Sequence, residues 1–130
     1  MSLTPGLKGC AEVLVTHENT AAVVGSGALE VFATPSMIGL MEKAALEAVL
    51  PYLAEGEGTV GTEICVRHLA PTPVGMTVTA EAELVEIDRK RLVFHVKACA
   101  GEEIIGEGTH TRFIIDNERF LRKAMAKKQE

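Results

Sequence analysis

The sequence predicts an α+β fold in which an antiparallel sheet wraps around one long central helix. Three observations carry that expectation. The segment from Pro35 to Leu53 has helical periodicity, while residues 62–115 alternate apolar and polar side chains with a period of two. The later strands are separated by short turn signals rather than by crossover-length segments. A chain of 130 residues has room for one domain, taken as residues 1–130, and 47% apolar residues suffice for its core.

Residues 7–16 (LKGCAEVLVT) read as the first strand, closed by the polar break His17-Glu18-Asn19-Thr20. Residues 21–29 (AAVVGSGAL) show no clear period and read as a mobile connection or a short helix. The helix comes next. Thr34 is a good N-cap residue and Pro35 suits the first helical position. Proline disfavours α geometry in the residue before it, which places Thr34 outside the regular helix. Met37, Ile38, Met41, Ala44, Ala45, Ala48 and Val49 form the apolar stripe, and Lys43 and Glu47, four apart, mark the wet face. Pro51 weakens the last turn.

Residues 54–61 (AEGEGTVG) read as a glycine-rich turn. Residues 62–70 then form a strand with Thr62, Ile64, Val66 and His68 on one face, followed by a break at Pro71-Thr72-Pro73 and Gly75. Residues 76–87 alternate with Met76, Val78, Ala80, Ala82 and Leu84 inward. Asp88-Arg89-Lys90 turns into a strand over 91–100 with Leu92, Phe94, Val96 and Ala98 inward. Ala100-Gly101-Glu102 turns into a last strand over 103–115, and a short basic helix starts near Asp116, a fitting N-cap. Three tight connections predict an antiparallel meander, with the long helix packed on one face. A small sheet has two open edges, and edge-to-edge association into a homodimer manages them.

Composition excludes several functions. Thirteen basic and eighteen acidic residues give a net charge of −5, which argues against nucleic acid as a partner. The five basic and two acidic residues between Glu118 and Glu130 read as a solvated basic helix on an acidic body. Cys10, Cys65 and Cys99 are odd in number and widely spaced, so neither a disulfide framework nor a metal site is indicated, and a cytoplasmic location is expected. Met1–Gly9 lacks the marks of a signal peptide, and no run reaches the ~18 apolar residues of a membrane span. Gly56, Gly58 and Gly61 are followed by no G-K-[ST], and no G-x-S-x-G elbow occurs.

Two residues break the pattern of their elements. Glu42 lies about 60° from the centre of the apolar stripe, where a carboxylate needs a partner, a wet pocket or a raised pKa. His68 shares its face with Ile64 and Val66 and points toward the helix, where an imidazole can act as a general base or polarise a carbonyl. His17 and His95 fall on wet stretches. His110 alternates with Gly106, Gly108 and Arg112, a face open to the close approach of a ligand; Arg112 is a candidate there and His110 a weaker one. Thr34 and Glu42 are eight residues apart, about 12 Å along a straight helix, and cannot touch. Either the chain turns back before Pro35, or the two act on different parts of one substrate, or one comes from another subunit.

The blocks VFATPSMIGLMEKA, GEGTVGTEICVRHLAPTPVGMTVTAEAEL and GEGTHTRFII resemble the fluoroacetyl-CoA thioesterase type within the hotdog-fold thioesterases, from about Val31 to Phe120. The resemblance implies a hotdog fold, a dimer with active sites at the subunit interface, and hydrolysis of a small acyl-CoA to free acid and CoA, with no metal or other cofactor. It implies catalytic roles for Thr34, Glu42 and His68, a glycine backbone contact at Gly61 and a pocket arginine at Arg112. Gly25 and Ala28 stand where the family carries two lid phenylalanines, so fluoroacetate specificity does not follow. The alternative is a non-catalytic module binding acyl-CoA or a small ligand on the same fold. A hotdog dehydratase or hydratase is less supported, since no Asp and His pair has the expected spacing.

Overall fold

The computed structural model describes residues 2–129. Its elements are β1 (Lys8–Leu14), α1 (Ala21–Val24), α2 (Thr34–Val49), β2 (Glu57–His68), β3 (Thr77–Asp88), β4 (Arg91–Ala100), β5 (Glu103–Asp116) and α3 (Asn117–Met125). The five strands form one sheet in the order β1-β3-β4-β5-β2, every neighbouring pair antiparallel. The sheet curls around α2 as a half-barrel, which is the hotdog arrangement.

The inward residues of the central strands come from strict alternation. Val78, Ala80, Ala82 and Leu84 of β3 and Leu92, Phe94, Val96 and Ala98 of β4 are buried. They meet Met37, Met41, Ala44, Ala45, Ala48 and Val49 of α2, with Phe32 and Ile105 completing the core. The small side chains are a geometric requirement, because α2 lies close to the sheet. At Gly9 of β1, an added Cβ would sit 2.8 Å from Ala48 Cα and closer still to the neighbouring helix backbone. Leu40 is also buried, on a flank that the periodicity did not assign to the stripe.

Several boundaries differ from expectation. The N-cap of α2 is Ala33, in extended conformation, and Thr34 is the first helical residue, with its side chain free of capping duty. The α-helix stops at Val49, and Pro51 sits in a 3₁₀ turn over Leu50–Tyr52, where the tighter winding tolerates its missing N–H. The glycine-rich stretch is no long turn: β2 begins at Glu57 because β5 offers a partner as far as Asp116. Met76 falls outside β3 and is 42% exposed.

The meander holds for β3, β4 and β5 but not for β2. Instead of pairing with β3, β2 occupies the far edge beside β5. Pro71 and Pro73 bring no N–H to a ladder, so the chain leaves the sheet after His68. The Thr72 carbonyl accepts from Phe32 N–H at 2.8 Å, and Val31 bridges Pro73, which fixes the chain that leads into α2.

Candidate active site

Thr34 opens α2 and His68 ends β2, and their side chains meet. Thr34 Oγ1 lies 2.7 Å from His68 Nδ1. When Nε2 carries the imidazole hydrogen, Nδ1 accepts from the threonine hydroxyl. Burial pushes the His68 pKa below its ordinary value, partly offset by the Ala70 backbone. The ring is therefore neutral at pH 7 and able to take a proton. Among the described residues, His68 Nε2 is buried without a well-formed hydrogen bond. The hydroxyl also sits at the positive end of the α2 dipole, which favours developing negative charge.

A second cluster lies further along β2. Arg112 of β5, buried to 7% exposure, donates from Nε to Thr59 Oγ1 at 2.8 Å and from Nη2 to the Thr59 carbonyl at 2.9 Å. Its Nη1 is 3.2 Å from His110 Nε2. His110, 1% exposed, donates from Nδ1 to the Glu63 carbonyl at 2.8 Å. The half-buried Glu42 approaches from α2: a Cβ added at Gly61 would lie 2.9 Å from its Oε2 and 3.0 Å from His110 Cε1. Desolvation lowers the Arg112 pKa, and the Glu42 charge acts in the opposite direction. Among the described residues, Glu42 forms no ion pair with Arg112, so the carboxylate is not locked to the arginine.

Every candidate from the sequence thus falls in one of two groups, Thr34 with His68, and Glu42 with Gly61 and Arg112. The fold does not unite these groups within the chain. Gly61 and His68 lie seven positions apart on β2, roughly 20 Å of strand. Thr34 and Glu42 stay apart on α2 as the helix rise requires. The glycine face of β5 is not open to a ligand. A Cβ at Gly106 would meet Met37 Cε at 2.7 Å and the Arg67 carbonyl at 2.9 Å, so protein fills that space. His110, the weaker candidate, is integral to the second cluster, and Thr59 was missed. The signal for His110 was its register, two residues from Arg112 on the same inward face.

His17 and His95 are exposed, His17 pairing with Glu30 at 2.7 Å. A groove of about 530 Å³ lined by Glu81, Glu83, His95, Lys97 and Glu107 lies on the sheet face away from α2 and contains no residue of either cluster.

Comparison with known proteins identifies the family. Residues 15–118 match the family model described as FlK, fluoroacetyl-CoA-specific thioesterase. The fluoroacetyl-CoA thioesterase of Streptantibioticus cattleyicolor is 51% identical over 98 residues, 75% of this chain and 70% of that protein. A solved structure of the fluoroacetyl-CoA thioesterase FlK superposes with a TM-score of 0.91 at 40% identity, covering 98% of both chains. A thioesterase superfamily member from Thermus thermophilus superposes with a TM-score of 0.85 at 29% identity, covering 98% of this chain and 97% of the other.

Proposed function

The chain belongs to the fluoroacetyl-CoA-specific thioesterase family, and from that premise we propose how its residues divide the work of acyl-CoA hydrolysis. The protein is an acyl-CoA thioesterase that releases free acid and CoA. The single observation carrying our mechanism is the 2.7 Å contact between Thr34 Oγ1 and His68 Nδ1. His68 takes the hydroxyl proton as the Thr34 oxygen attacks the thioester carbonyl. The tetrahedral intermediate collapses, the C–S bond breaks, and the CoA thiolate leaves with the proton returned by His68. Water then attacks the threonyl ester with Glu42 as base, giving the acid and free Thr34. Arg112 and the Gly61 backbone hold the acyl end. A thiolate is a fair leaving group, so these side chains suffice without a metal.

Both clusters serve one reaction if the protein is a homodimer. The outer edge of β2 is unpaired, and antiparallel pairing with the β2 of a second copy sets the His68 end of one strand against the Gly61 end of the other. Thr34 and His68 of one protomer then face Glu42 and Arg112 of its partner.

For the acyl group, Gly25 and Ala28 are exposed, and the segment they occupy presents Val23, Val24 and Leu29 to solvent. We read this as a loosely walled pocket that accepts small acyl groups without selecting fluoroacetyl. The acidic net charge supports no nucleic-acid partner. No helix of the described residues is long and apolar enough to cross a membrane, and three free cysteines support the cytoplasm. We take the chain to act as a single domain, since one sheet and one helix carry every residue of the mechanism.

The test is steady-state hydrolysis of acetyl-, fluoroacetyl-, short branched, medium-chain and aromatic acyl-CoA, wild type beside Glu42→Ala, with free thiol as the readout. Turnover abolished in Glu42→Ala, together with an acyl-threonine adduct at Thr34 in the quenched wild type, is expected. Turnover without any adduct in a rapidly quenched series would replace the acyl-enzyme with direct attack by water.

A further inference from the structure

We propose that His110 is a positioning residue for Arg112, fixing the direction in which the guanidinium presents its free N–H groups. This rests on the reading of Arg112 as a substrate-binding group. A carbonyl oxygen only accepts, so the 2.8 Å contact with the Glu63 carbonyl requires hydrogen on His110 Nδ1. In the neutral ring Nε2 is then bare and accepts from Arg112 Nη1 at 3.2 Å. Arg112 thus commits one N–H each from Nε, Nη1 and Nη2 to Thr59 and His110. Of the five guanidinium donors, one remains on each terminal nitrogen. Nη1 lies 3.5 Å from where a Cβ on Gly61 would be, so the free edge borders the space shared with Glu42.

The backbone builds this arrangement deliberately. Gly61 pairs with Arg112 and Glu63 with Thr111, leaving Thr62 as the extra residue of a bulge. The bulge puts the Glu63 carbonyl within reach of His110, a re-aiming that bulges next to functional sites commonly produce. The groups facing His110 are Glu42 from α2, Arg112 from its own strand, the Glu63 carbonyl from β2 and the Phe94 ring from β4, whose centroid is 6.3 Å away. Burial, with the Arg112 charge acting the same way, keeps the ring neutral against the opposing pull of the Glu63 carbonyl and Glu42.

The experiment is a cycle of His110→Leu, Arg112→Ala and the double variant, with His110→Gln as a conservative rescue, read as KM and kcat on the best acyl-CoA. His110→Leu fills the space without an acceptor, and His110→Gln restores one. We expect KM to rise about tenfold in each single variant, no further in the double, and to recover toward wild type in His110→Gln. Multiplying effects in the double variant, or an unchanged KM in His110→Leu beside a raised one in Arg112→Ala, would overturn the proposal. An unchanged KM in Arg112→Ala would instead overturn the reading of Arg112 on which it stands. Ring ¹⁵N shifts of the wild-type protein at pH 7 give an answer that needs no variant to fold. A protonated Nδ1 and bare Nε2 are expected, and hydrogen on Nε2 overturns the proposal.

Discussion

Glu42 and His68 draw attention for opposite reasons: one is a charge on an apolar stripe, the other a titratable ring on an inward strand face. If both act in the chemical step, Glu42→Ala and His68→Ala each lower kcat by about 10²-fold or more. His95→Ala, on the sheet face away from the helix, leaves kcat and KM unchanged in the same assay. Gly61 gives a sharper test of geometry. Gly61→Ala puts a methyl 2.9 Å from Glu42 Oε2, and the carboxylate must move while the fold has no backbone to displace. A fall in kcat/KM of about tenfold with a thermal midpoint near wild type is the expected pair of results. The two lowered histidine pKa values also fix a pH signature. Activity falls as acid protonates His68, because an imidazolium cannot accept the Thr34 proton. Stability begins to fall at slightly higher pH. The unfolded chain takes up protons as pH drops through about 6.5, before the folded histidines do, so acid favours unfolding until the folded groups also titrate. Thermal midpoints measured between pH 8 and pH 5 should decline, and less steeply in His110→Gln.

At the scale of elements, α2 is both an apolar wedge and a scaffold that carries polar side chains at its start and near its middle. Its first residue carries a hydroxyl, and its third turn carries the carboxylate. The wedge fits only where the sheet is thin. Gly9→Ala drives a methyl into the α2 backbone at Ala44 and Ala48. That overpacking is expected to cost about 2–3 kcal/mol, read from the denaturant midpoint, while β1 lies far from the chemistry. Much of this level was legible beforehand. The helix, β3 and β4 were visible because strict periodicity with one buried face leaves little freedom of register. β2 was only half legible. Its first residues are glycine-rich and match a turn locally, and only the ladder with β5 makes them strand. Thr34 was misplaced at the N-cap for a related reason: its hydroxyl is satisfied by a histidine 34 residues away rather than by its own helix.

The molecule as a whole poses the question of whether the two clusters work together. If Thr34 and His68 of one copy work with Glu42 and Arg112 of another, two inactive variants can complement. Equal amounts of His68→Ala and Glu42→Ala, unfolded together and refolded, would regain about a quarter of the wild-type sites. Each mixed dimer holds one intact site and one doubly damaged site. No recovery in mixed dimers verified by mass would place the whole reaction inside one chain and remove the composite site.

The sequence alone determined the α+β class, the long helix, the faces of the central strands, and which polar side chains stand out on apolar faces. Those features follow from periodicity, from local steric preference and from charges that stand out on apolar faces, all of which act over a few residues. The tertiary structure decided which residues are neighbours. It moved β2 to the far edge beside β5, brought Thr34 to His68, tied Arg112 to His110 and Thr59, and kept those two groups apart. The Thr34–His68 and Thr59–Arg112 contacts join residues 34 and 53 positions apart, and they depend on strand order and on one bulge. Periodicity specifies which way a side chain points, but only the order of strands specifies what it points at.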